Sequence, residues 1–106
     1  MTNVYFISDS LVARMAAKVL KTDNCAIVFR RTIHLYNISK SEITRNKQLL
    51  CHELAHVMQW KQYGIIRFPL LYIWYSIKYG YDQNPFEKEA RAQENDFSVL
   101  DKFVLK

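Results

Sequence analysis

Apolar and polar positions alternate along this chain with two different periods, and the changes between them mark its elements. Val4-Tyr5-Phe6-Ile7 is a short apolar run, read as a brief strand or as the lead-in to a helix. Leu11, Val12, Met15, Ala16, Val19 and Leu20 then recur at helical spacing, with Arg14, Lys18 and Lys21 on the other side. That pattern predicts an amphipathic helix whose apolar stripe joins the core. Ser8-Asp9-Ser10 supplies N-cap residues, and the helix should end near Thr22-Asp23-Asn24.

From Cys25 to Tyr36 the period shortens. Ala26-Ile27-Val28-Phe29 and Thr32-Ile33-His34-Leu35-Tyr36 are rich in strand formers. Arg30-Arg31 between them is either a hairpin turn or the exposed middle of one longer strand. Ser39-x-x-Glu42 has the form of a capping box. A helix is expected from there through Leu49, Leu50, Leu54 and Val57 to Tyr63, closed by Gly64 in a left-handed cap. Leu54 and Val57 would anchor that helix in the core.

The most apolar stretch is Ile65 to Tyr81, where Pro69 suits a first helical turn and Gly80 a stop. Its apolar run between Arg67 and Lys78 is too short to cross a bilayer, so no transmembrane span is expected. A core helix explains it, but the aromatic excess in 68–81 also suits a substrate pocket, a protein-partner surface or a membrane-facing patch. Asn84-Pro85 opens a last helix carrying Phe86, Ala90, Phe97, Leu100 and Val104 on one stripe, expected to run close to the C-terminus.

Composition adds bounds. The chain has 106 residues, enough for one domain (1–106) with one core, and with two Gly and two Pro it has little turn material, which favours helix. Fifteen Lys and Arg against ten Asp and Glu give a net charge of +5, but the basic residues are scattered. A dispersed excess reads as solvated surface, so no nucleic-acid partner is expected. The N-terminus lacks a basic region followed by an apolar one, which makes a cytoplasmic location the expectation. Cys25 and Cys51 match no metal or redox spacing and read as reduced, buried apolar residues.

The candidate chemistry lies in His52-Glu53-Leu54-Ala55-His56, an H-E-x-x-H pattern in the middle of a predicted helix. Residues four apart share a helix face, so both imidazoles can point at one ion. Glu53 reaches the same space and can handle the proton of a metal-activated water. A catalytic zinc needs three protein ligands. Cys51 is roughly 100° around the helix from His52 and is poorly placed for it. His34, on the second strand, is a further candidate. Glu87, Glu89 and Glu94 follow the Asn84-Pro85 break. Glu87 and Glu89 point roughly 200° apart, so at most one of them faces the site. Glu87 also stands three residues after Asn84, where a capping role explains it without any metal.

His52-Glu53-x-x-His56 followed by Glu87-x-x-Ala90 resembles the zinc metallopeptidases called gluzincins. It is similar in particular to small bacterial zincin-like domains with a His-Glu-Leu-x-His-Val-x-Gln segment and a downstream Asn-Pro-x-Glu-x-Glu-Ala. The likeness covers Thr32 to Glu94. It implies a helix-rich α+β fold, a minimal zincin-like domain with a small sheet or hairpin on the motif helix and the third ligand on a later helix. It also implies that Thr32 to Asn37 is the edge strand of the cleft. One Zn2+ would be held by His52, His56 and Glu87, with Glu53 as general base in hydrolysis of a peptide or protein substrate. Arg91 stands where many relatives carry an Asp that supports a ligating His. The oxyanion or substrate contact is left open among His34, Tyr72, Tyr75, Tyr79, Tyr81 and Arg91. The rival reading is an inactive, zinc-stabilised interaction module that docks a protein through 68–81.

Overall fold

The computed structural model describes residues 2–106. It is an α+β fold with strands β1 (Thr2–Ile7), β2 (Cys25–Phe29), β3 (Thr32–Tyr36) and β4 (Phe103–Leu105). Helices are α1 (Leu11–Leu20), α2 (Lys40–Arg45), α3 (Lys47–Tyr79) and α4 (Pro85–Ala92), and a 3-10 turn spans Phe97–Lys102. The strands form one mixed sheet in the order β2-β3-β1-β4. β1 runs parallel to β3 and β4, and β2 is antiparallel to β3.

Phe29 pairs with Thr32, so Arg30-Arg31 is the two-residue turn of a hairpin, with Arg30 at φ 59°. Thr32 to Asn37 is therefore not the edge strand expected from the resemblance. β3 is flanked on both sides by β2 and β1, and β2 and β4 are the edge strands. Ile33 and Leu35 are fully buried while Thr32, His34 and Tyr36 alternate with them. In register, Val28 and Phe6 fall beside Ile33 and on its face. That face shares a core with Leu54 and Val57 of α3, both essentially inaccessible as the sequence predicts. Trp60 ties the same helix to the edge strand by donating its indole N–H to the Val28 carbonyl at 3.1 Å.

The capping box at Ser39 and Glu42 is present, but it starts only α2. Asn46 leaves helical geometry at φ −89°, ψ 89° and caps α3 by accepting from the Leu49 N–H, so the predicted single helix is two. Gly64 breaks α3 at φ 90°, ψ 170°, an extended positive-φ geometry rather than a left-handed cap. Helix resumes at once, with Pro69 inside it instead of opening it.

Two further expectations are corrected. α1 buries Ala13 and Ala17, while Leu11, Val12, Met15, Val19 and Leu20 are exposed. Its small-residue side permits close approach to β2 and β3, and the long apolar side chains are turned outward. The last helix stops at Ala92, and Val104 lies in β4, beside Asn3 of β1. No helix among the described residues is long and apolar enough to cross a membrane.

Candidate metal centre

The first half of α3 carries the H-E-x-x-H pattern, and α4 packs against α3. Asn84 starts α4 by accepting from the Phe86 N–H at 2.9 Å, and its amide donates to the Tyr72 carbonyl and Ser76 hydroxyl of α3. Asn84 therefore both caps α4 and pins it. Glu87 takes no part in that cap, so the capping explanation for it is set aside.

Glu87 instead turns its buried carboxylate to both histidines. His52 Nε2 lies 3.1 Å from Glu87 Oε1, and His56 Nε2 lies 3.2 Å from Oε2. Ligand atoms of His52, His56 and Glu87 all fall within 4.8 Å of one another, so the three form a group that could hold a metal ion. Two atoms about 2.1 Å from a tetrahedral ion stand about 3.4 Å apart, close to the His–Glu separations here. The donor set, two imidazole nitrogens and a carboxylate, suits a borderline divalent cation.

A second layer fixes the imidazoles. His52 Nδ1 donates to Glu94 Oε2 at 2.8 Å, and His56 Nδ1 donates to Gln59 Oε1 at 2.8 Å. Gln59 is buried and donates onward to the Phe86 carbonyl and to Glu89, both at 3.0 Å. With each Nδ1 engaged outward, both Nε2 atoms face Glu87, the tautomeric arrangement that ligating histidines need. Tyr72 donates its hydroxyl to Glu87 Oε2 at 2.5 Å.

These contacts move the proton affinities. Burial alone would lower the pKa of His52, but the hydrogen bonds to Glu87 and Glu94 and the charges of Glu53 and Glu87 outweigh it and push it up to about 9. His56 rises for the same reason, with Glu87 overcoming desolvation. Burial opposes ionisation of Glu87, yet its hydrogen bonds to both histidines hold it well below the usual carboxylate range. Glu53 goes the other way. Desolvation is its largest influence and pushes it up to about 7 against the nearby histidines.

His52, Glu53, His56 and Glu87 lie along one cleft of about 370 Å³. Its walls come from β2 (Ala26, Val28), α1 (Val19, Leu20) and the second half of α3 (Phe68, Ile73). Tyr72 and Tyr81 also line it, while Tyr75 stacks among Tyr79 and Phe86 and does not. Tyr79 is exposed with Lys78 over its ring. His34 is engaged elsewhere, Nδ1 to the Ser10 hydroxyl at 2.7 Å. Arg91 points outward and donates to the Asp82 carbonyl. Cys51 is buried against the Asp96 carbonyl rather than the histidines, and half-buried Cys25 lines the cleft.

Two contributors escape the sequence reading as supports. Glu94 enters it only as a rival ligand, and Gln59 has no role there. Its spacing of three from His56 was the available signal for Gln59. Comparisons with protein-family models, curated proteins and solved structures found no match.

Proposed function

We propose that this protein is a zinc-dependent metallopeptidase. The observation that carries the reading is the convergence of His52, His56 and Glu87 on one point, with Glu53 buried in the same cleft. His52 and His56 through Nε2, and Glu87 through its carboxylate, are the residues that would hold the ion. When bound, zinc supplies Lewis-acid polarisation of a carbonyl and a more acidic water. Glu53 is the proton carrier. A buried carboxyl poised near neutrality takes a proton from the attacking water and returns it to the departing amine. Glu94 and Gln59 keep both imidazoles turned inward, and Tyr72 steadies Glu87. Tyr72 and Tyr81 both line the cleft, and with the Tyr72 hydroxyl engaged by Glu87, Tyr81 is the proposed donor to a substrate oxygen. The apolar walls favour substrates with apolar side chains beside the scissile bond.

The second reading is a catalytically inactive, zinc-stabilised interaction module. It is favoured by the outward apolar side chains of α3, among them Ile66, Leu70 and Ile77. Glu53→Gln separates the two. Metal content measured by plasma mass spectrometry should stay at one zinc per chain in both wild type and variant. Peptide-library cleavage should fall by about 10²-fold or more in the variant. A wild-type protein that holds zinc and cleaves nothing supports the module instead. A protein that binds no zinc contradicts both.

A further inference from the structure

The cleft is bordered by two apolar ridges that no other described residues cover. On α1, Val19 lines the cleft and is 80 % exposed, and Leu11, Val12 and Met15 continue its stripe at helical spacing. On the second half of α3, Ile73 lines the cleft, and Leu70, Ile77 and Ile66 fall three, four and seven residues from it. Ile66 and Ile77 are 72 % and 76 % exposed. Each stripe contains a cleft-lining residue, so both ridges adjoin the cleft.

The charges on these ridges have one sign. α1 carries Arg14 and Lys18 and ends at Lys21; residues 65–79 carry Arg67 and Lys78. All five are exposed, and neither segment contains an Asp or Glu. Arg30 and Arg31 of the hairpin turn line a hollow with Ile65, at the start of the distal ridge. Exposed Trp74, Tyr79 and Tyr81 add side chains with an apolar body and a polar edge. Apolar stripes flanked by Lys and Arg, with Trp and Tyr beside them, match the chemistry of an anionic bilayer interface.

We propose that the two ridges dock on the surface of an anionic lipid bilayer, with the cleft mouth turned to the membrane. Binding is peripheral, since no described helix spans a bilayer. Apolar side chains enter the headgroup boundary while basic ones meet lipid phosphates. This docking does not depend on the metal centre, and its test reads lipid binding alone.

The test is co-sedimentation of the full chain with vesicles of phosphatidylcholine and phosphatidylglycerol, against phosphatidylcholine alone. Binding should be strong only with the anionic lipid and should weaken with added salt. Trp74 fluorescence should shift to the blue on binding, and Trp74→Phe should remove the shift. Lys18→Gln with Lys78→Gln should weaken binding by more than about tenfold, at about fivefold per charge. Ile66→Ser with Ile77→Ser should weaken it at least as much; both sites are exposed, and circular dichroism checks that the fold is kept. No binding to anionic vesicles overturns the proposal, as does binding that both double variants leave unchanged. A dimer in sedimentation analysis that Ile66→Ser with Ile77→Ser dissociates, without vesicle binding, also overturns it and assigns the ridges to a second copy of the chain.

Discussion

His52 is held at both ring nitrogens, by Glu87 at Nε2 and Glu94 at Nδ1. Removing the outer contact leaves the inner donor in place but lets the ring turn. Glu94→Gln is therefore expected to weaken zinc binding by about 10- to 100-fold, measured by competition with a chelating dye. An unchanged affinity would show that Glu94 only decorates the site. The His pair and Glu53 were legible in the sequence because one helix fixes their relative positions within five residues. The role of Glu94 was not. α4 ends at Ala92, so Glu94 reaches His52 from a turn, where helical spacing no longer says which way a side chain points. Arg91, still within α4, stands where the resemblance expects a supporting Asp yet donates to the Asp82 carbonyl.

Among the elements, α3 depends on its break. The first half must lie against the sheet to hold Leu54 and Val57, while the second must turn to place Phe68, Tyr72 and Ile73 over the cleft. Gly64 makes that turn at φ 90°, ψ 170°, a conformation essentially confined to glycine. A Cβ there would meet nothing within 4 Å, so the cost of a substitution is backbone strain alone. Gly64→Ala should destabilise the fold by about 1–3 kcal/mol in urea unfolding. No loss would mean that the break lies elsewhere. The sequence marked Gly64 as a boundary but not its geometry, because glycine permits several. It also gave α1 an apolar stripe without its direction. Periodicity defines a face; Ala13 and Ala17 decide which face lies against the sheet, since only small residues allow so close an approach. Val104 had the opposite fate, its helical spacing overridden by pairing of β4 with β1.

Across the whole molecule, the metal-free centre makes stability depend on pH with a definite sign. His52 has its folded pKa raised to about 9, so its contribution is complete below the unfolded value near 6.5 and disappears as pH rises through 9. Glu53 has its folded pKa raised to about 7, so the folded chain keeps a proton that the unfolded chain has lost above about 4.5. Its contribution therefore also falls as pH rises, between those two values. Glu87 works in the reverse direction, stabilising above its ordinary range and losing that stabilisation only in strong acid. In the presence of a chelator, the melting temperature should drop between pH 6.5 and 9, and His52→Gln should flatten the upper part of that drop. A melting temperature that climbs over this interval would contradict the coupling of Glu87 to the histidines.

On the proposed reading, His52, His56 and Glu87, the group that could hold a metal ion, together bind one zinc. The most direct measurement of that binding is an anomalous-difference map from crystals of the zinc-loaded protein, recorded on both sides of the zinc absorption edge. One peak per chain is expected, about 2.0–2.2 Å from His52 Nε2, His56 Nε2 and a Glu87 oxygen. A peak bound by Glu94 or Glu89 in place of Glu87, or no peak between the two histidines, would contradict that reading.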